Sequence, residues 1–414
     1  MRSWLIYLTL IALMVPLSSG CTSFRRTLSN ISVPGLKPNR SVDPDEILDP
    51  LGARDSNRLL LDDLSPSQFA TTLKTRTSGP DQAAAERYYA QGQQQYNQGI
   101  AQLDAEPTGE AHKETFAQAA NSFRLAAASW PDSQIEEDSN YFEGEAYFFA
   151  DRYVQSNRAF EKLVANYSGS KYLDLAQNRR YAIAIYWLQL SENGAAISFN
   201  DSKRPTMKLA AEARRVLHRI RIDDPTGKLA DDATIALGQA FMQAQSYYQA
   251  ADTFEDLRRN YPGSKHQFKA HMLELQARLE GYQGPSYDGT PLKKADEILT
   301  TIVKQFPKQA EEELPYIEKQ ATLIRNQIAE RDYRTGQYFE SRGENLAAKM
   351  SYDKVAKQFQ DTELAKTIQQ RIAEVAKKPP KPEQHAQWLV DLFPNPADEK
   401  PVILAGNNES ILKR

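Results

Sequence analysis

Cysteine is nearly missing from this 414-residue chain. A single residue, Cys21, excludes a disulfide framework, and five scattered histidines leave too little for a Cys-rich or multi-His zinc site. A surplus of one charge is missing as well. Lys plus Arg number 51 against 54 for Asp plus Glu, a formal net charge of −3, so no global field draws nucleic acid or anionic lipid. Hydrophobic residues make up 41% and mean hydropathy is −0.62, which leaves no room for a bundle of membrane spans. There is no Gly-rich phosphate loop, no His-Glu-x-x-His and no Gly-x-Ser-x-Gly. Nothing therefore marks an active site, and no catalytic residue, cofactor, metal, nucleic acid or small-molecule substrate is expected. What the chain does have is length, 20 Tyr and 16 Phe, enough for two or three domains or one elongated array of repeats.

The amino terminus reads as an export signal. Arg2 supplies a positive start, and Trp4 to Leu17 is apolar apart from Thr9, ending in Ser18, Ser19 and Gly20 before the lone cysteine. A run of about 14 residues falls short of the roughly 20 that span a bilayer and fits a signal-peptide core. The segment resembles a bacterial lipoprotein signal, although the leucine, Leu17, sits one position earlier than usual. That resemblance implies cleavage after Gly20, acylation of Cys21, and, with Thr22 rather than Asp following, an outer-membrane destination. Several acyl chains at about 0.8 kcal/mol per buried methylene give effectively permanent attachment.

Residues 21–81 read as a lipid-anchored flexible tether, interrupted by Pro34, Pro38, Pro44, Pro50, Pro66 and Pro80. Within it Leu59, Leu60, Leu61 and Leu64 form either a short docking helix or a transient apolar cluster. Residues 378–414 form a Pro-rich tail containing Trp388-Leu389-Val390-Asp391-Leu392-Phe393, too apolar for a solvated tail. Either this peptide packs back on the body or Trp388, Leu389 and Phe393 are a linear motif for a partner.

Between these ends, residues 82–377 are rich in helix formers with apolar residues recurring at three and four. The stronger signal is repetition. Gly144, Gly238 and Gly336 are each followed by an aromatic at offset 3 (Tyr147, Phe241, Phe339), a small residue at 12 (Ser156, Ala250, Ala348) and an aromatic at 16 (Phe160, Phe254, Tyr352). Three further copies keep only the second helix: Ala119, Phe123 and Pro131; Ala213, Leu217 and Pro225; Ala295, Leu299 and Pro307. Small residues let two antiparallel helices approach closely, the aromatics fill the groove beside them, and a proline such as Pro262 stops the second helix. The expected fold is all-α, a tetratricopeptide-repeat solenoid of about six hairpins in which compact ones alternate with ones carrying inserts at 104–112, 191–205 and 281–291. Such inserts suggest a rim decorated for contact.

The endings Trp130-Pro131-Asp132-Ser133, Tyr167-Ser168-Gly169-Ser170 and Tyr261-Pro262-Gly263-Ser264 offer Ser residues to cap the following helix. With Gly144-Glu145-Ala146-Tyr147, Ala159-Phe160, and Asp288-Gly289-Thr290-Pro291 leading into Ala295, they resemble the BamD family of outer-membrane lipoproteins. Ser168 and Gln360 replace its proline, and the chain is longer. The resemblance implies a non-catalytic protein on the periplasmic face of the outer membrane. Its implied partners are β-barrel assembly components and unfolded barrel proteins; a scaffold for secretion, pilus or cell-wall assembly is the other reading of the same repeats. Tyr141, Tyr147, Phe148, Tyr186, Trp187, Phe241 and Tyr338 are candidates for an exposed binding face, with the core as the alternative for most. His266 and His271 read as surface histidines on different helix faces, and the acidic runs at 136–138 and 311–313 as helix-start charges.

Overall fold

The computed structural model describes residues 79–194, 201–360 and 362–381 together with Trp388 and Leu392. Cys21, the tether leucines, Leu389 and Phe393 lie outside the described residues. Among the described residues all regular structure is helical. The first hairpin pairs α1 (Gln82–Ala105) with α2 (Ala111–Ser129), the second α3 (Gln134–Phe149) with α4 (Tyr153–Asn166), and the third α5 (Leu173–Glu192) with α6 (Leu209–Asp223). The fourth pairs α7 (Ala230–Gln243) with α8 (Tyr247–Asn260), and the fifth α9 (Gln267–Glu280) with α10 (Thr290–Gln305). After the short α11 (Pro307–Glu312), α12 (Leu314–Ser341) and α13 (Asn345–Gln358) make the sixth, and α14 (Glu363–Val375) closes the array. Each helix packs chiefly on its neighbours in the chain. That is the repeat array expected of six hairpins.

The three glycines occupy equivalent crossings. A Cβ on Gly144 would lie 2.5 Å from the Phe160 ring, one on Gly238 2.4 Å from Phe254, and one on Gly336 2.3 Å from Tyr352. These three rings are fully buried. Ser156 opens α4 and donates its hydroxyl to the Gly144 carbonyl at 2.8 Å, which satisfies a buried polar group where Ala250 and Ala348 have none. Hairpin 1 uses the same device twice, with Gly92 against Phe123 and Gly99 against Phe116. Those two rings stack on Phe142 and Phe149 of α3, at 5.4 and 5.2 Å between centroids.

The compact hairpins turn in three residues through a left-handed residue at one repeated position: Asp151 (φ 59), Gln245 (φ 57) and Gly343 (φ 75). In each turn the next N–H returns to the helix, Arg152 to Tyr147, Ser246 to Phe241 and Glu344 to Phe339. A side chain in this conformation costs about 1 kcal/mol relative to glycine. Gln245→Gly is accordingly expected to raise stability by about 0.5–1 kcal/mol in urea denaturation, and Gly343→Ala to lower it by about as much.

Two features depart from a uniform array. Pro307 does not simply stop α10 but opens α11, and α12 then runs 28 residues, twice the length of α7. Its first half joins the core of hairpin 5 through Ile317 and Ile324; its second half joins the sixth through Ala329 and Phe339. The run Glu311-Glu312-Glu313 therefore ends α11 and precedes α12 instead of occupying a first turn, a correction to the dipole reading. Glu136 and Glu137 do stand in the first turn of α3.

Candidate partner-binding edge

The three inserts lie within hairpins, between α1 and α2, α5 and α6, and α9 and α10, so they emerge on the same edge of the array as the three tight turns. Asp151, in the tight turn of hairpin 2, ties both flanking inserts to itself. Its carboxylate pairs with Lys113 at 3.0 Å and Lys203 at 3.1 Å and accepts the Tyr153 hydroxyl at 2.9 Å, while its carbonyl accepts from Ser202. Burial pushes its pKa up, but Lys113, Lys203 and Tyr153 together hold it below the usual carboxylate value. Trp187 fixes the hairpin 3 insert from beneath by donating to the Lys203 carbonyl at 2.8 Å. Next to Asp151, Leu103, Pro107, His112, Phe148, Phe149 and Tyr153 line an open pocket of about 350 Å³. In hairpin 5, Asp288 accepts from the backbone and hydroxyl of Thr290, and Arg331 of α12 lies directly over Gly289.

This edge carries exposed Met207, Tyr248, Tyr287, Tyr338 and Leu346, each within four residues of an intra-hairpin connection or inside one. Of the helix-face candidates, Tyr147, Trp187 and Phe241 are core, Tyr141, Phe148 and Tyr186 are half-buried, and only Tyr338 is exposed. The core placement expected for most of them has a simple cause: Tyr147 and Phe241 sit one turn beyond the crossing glycine. Trp388, the described member of the tail trio, is 67% exposed. Pro262 lies in the loop after α8, past its last helical residue Asn260.

The opposite edge joins successive hairpins through paired polar contacts. Ser170, Lys171 and Tyr172 reach back 33 or 34 residues to Glu137 and Asp138 at 2.6, 3.0 and 3.0 Å. Ser264, Lys265 and His266 do the same to Asp231 and Asp232 at 2.6, 3.0 and 2.6 Å. Of the serines expected to cap, Ser133 does so, accepting from the Glu136 N–H. Ser170 and Ser264 instead accept the N–H two residues on and donate across to the preceding hairpin.

Deeper down, Glu161 of α4 and Glu255 of α8 anchor matching ion clusters. Glu161 receives Arg180 of α5 and Arg215 of α6; Glu255 receives Arg278 of α9 and Lys294 of α10. His271 belongs to the second cluster and is buried, which corrects its reading as a surface residue. Its Nδ1 donates to the Gln267 carbonyl, its Nε2 faces Arg258 at 3.3 Å, and its ring meets Phe306 edge-on. Burial, and the Arg258 charge after it, lower its pKa to about 4, while the Gln267 contact opposes them. Since the unfolded imidazole takes its proton near 6.5 and the folded one only near 4, stability falls as pH drops through that window. Between pH 7 and 5 the native protein is expected to lose about 2 kcal/mol more than the His271→Leu variant, read from paired urea titrations.

Residues 202–379 match the model of a family described as YfiO, outer membrane lipoprotein. The match covers less than half of the chain and falls on α6 to α14, beginning within hairpin 3 after α5. Over those residues the chain is similar to that outer-membrane lipoprotein family. No curated protein matches the chain. Among solved structures, the C-terminal part of a TPR repeat-containing protein from Cytophaga hutchinsonii is 11% identical, covers 70% of this chain and 99% of its own, and has a TM-score of 0.28. That likeness is too loose to bear on function.

Proposed function

We propose that this chain is a lipid-anchored outer-membrane protein that binds other proteins while β-barrel proteins are assembled and inserted, and that it acts by binding instead of catalysis. The observation that carries the reading is the coincidence of the outer-membrane lipoprotein match with the hairpins whose turn-side edge exposes Met207, Tyr248, Tyr287, Tyr338 and Leu346. A stack of hairpins holds such side chains on a rigid frame, so a partner docks with little reordering of the array. Tyr offers large contact area at low entropic cost, and Met adapts its unbranched side chain to a partner's contours. Cys21 carries the acyl anchor on the periplasmic face, and the tether spaces the array from the membrane.

The test is a pull-down of the full chain from detergent-solubilised envelopes. The expected result is recovery of a large barrel protein with periplasmic repeat domains; recovery of a secretin or a wall enzyme in its place would overturn the assignment. Labelling with a radioactive fatty acid checks the anchor independently. Label should appear in the wild-type chain and vanish in Cys21→Ala.

A further inference from the structure

The pocket beside Asp151 combines apolar walls with one buried polar group. Leu103 of α1, Pro107 of the first insert, and Phe148 and Phe149 of α3 form the walls. Leu103 and Phe149 are half-buried members of the first hairpin's core, so an apolar side chain set against them extends that core. Phe149 stacks on Phe116, Phe148 packs on Tyr153, and Asp151 ties Lys113 and Tyr153 together at the rim, which fixes the shape. His112 also lines the pocket. It is 6% exposed, its ring meets Phe116 edge-on at 6.2 Å, and among the described residues that ring makes no hydrogen bond. Buried polar groups are satisfied as a rule, so the imidazole calls for a group that enters the pocket.

We infer that the leucine cluster of this chain's own tether, Leu59, Leu60, Leu61 and Leu64, docks in this pocket, with one of its backbone carbonyls accepting from His112. Leu60, Leu61 and Leu64 fall at spacings of three and four, which a helical turn brings to one face. Reach permits it. From Gln82 to Leu103, α1 carries the chain about 32 Å, while the 18 residues from Leu64 to Gln82 span up to about 60 Å at full extension. Charge selects neither an acidic nor a basic guest. Around the mouth Lys113, Lys203 and Arg152 are answered by Asp151, Glu110 and Glu114, so apolar contact decides. A dissolved peptide of similar composition also competes with a segment that its own linkage holds at about millimolar local concentration. The chain enters α1 at the opposite edge, where the Asp81 N–H donates to the Ser129 carbonyl at 2.8 Å. Docking therefore turns the tether back along α1 and makes it leave from the turn-side edge. With the proposed anchor at Cys21, that edge and its exposed Met207 and Tyr248 face the membrane. This orientation rests on the anchor; the docking does not.

The experiment uses the mature full-length chain with Cys21→Ala, which removes its single cysteine and the anchor together. Leu61→Cys is combined with Thr108→Cys, at an exposed position of the pocket mouth, or with Glu312→Cys, also exposed but in α11. Under mild oxidation the first pair is expected to close a disulfide within the chain at least tenfold faster than the second. Adding Leu60→Ser/Leu64→Ser should slow that closure about tenfold, with helicity by circular dichroism unchanged. In the chain without new cysteines, the same two serines should shift the His112 ring signals in NMR. Equal closure with Thr108→Cys and Glu312→Cys, closure indifferent to the serines, or unmoved His112 signals would overturn the docking. So would disulfides that form only between chains, the mark of a second copy in the pocket. Cross-linking of an envelope protein to Thr108→Cys while Leu61→Cys stays reduced would overturn it too, since a partner then fills the site. Acylation of Cys21 in the envelope bears on the orientation alone.

Discussion

Arg180→Met is expected to lower stability by about 3–5 kcal/mol. Arg180 is fully buried at the start of the third hairpin, where its guanidinium reaches Asp223 at 2.9 Å, Gln177 at 3.0 Å and, more loosely, Asn157 and Glu161 at 3.4 Å. These partners come from α4, α5 and α6, so one side chain cross-links two hairpins. Methionine keeps most of the volume but takes the close cation from Asp223 and the donor from the amide oxygens of Gln177 and Asn157, and leaves Glu161 with Arg215 alone; that uncompensated desolvation sets the size of the effect. Acid should narrow the difference. Burial pushes Glu161 upward, but Arg180 and Arg215 hold its pKa below the usual value. A lowered carboxylate contributes stability that is full above its unfolded value of about 4.3 and is lost as pH falls through the folded one. Urea denaturation of wild type and variant at pH 7 and in acid measures both effects. A loss similar to that of the exposed Lys228→Met, whose pair with Asp174 is open to water and expected to contribute nothing measurable, would mean the cluster is dispensable.

Gly238→Val is expected to cost about 3 kcal/mol through overpacking. On its first carbon the new side chain would meet Phe254 Cε1 at 2.4 Å, and that ring cannot yield, being fully buried in the groove between α7 and α8. Either the ring leaves its rotamer or the helices separate, and both disturb the neighbouring hairpins. A smaller ring-side partner should relieve the clash, so Gly238→Val/Phe254→Leu is expected to be more stable than the sum of its single changes predicts. Thermal melts of the four proteins in the cycle give the coupling. Additive losses would show that Gly238 and Phe254 do not press on each other.

Phe160, Phe254 and Tyr352 could be read as core from the sequence because each lies 16 residues after the glycine it covers, a separation fixed by one hairpin. The rim of inserts was legible for the same reason, since a long connection inside a hairpin must emerge where the turn does. Gly92 and Gly99 escaped notice, although their spacing of seven matches that of Phe116 and Phe123, because hairpin 1 lacks the aromatic three residues after each glycine. His271 reads as a surface residue when only its own helix is considered; Phe306 and Arg258, which enclose it, arrive from other helices. The backward contacts of Ser170 and Ser264 were likewise invisible, since a serine before a helix looks like a cap until a carboxylate from the preceding hairpin is placed beside it.

The sequence by itself determined the helical hairpin, its crossing and its number of copies, because the forces that set these act between residues less than a turn or one hairpin apart. Only the tertiary structure decided which aromatics face water, which charges are buried together, and where the long α12 joins two cores. Those outcomes depend on stacking between hairpins. There a residue's surroundings come from other helices, and local pattern carries no record of them.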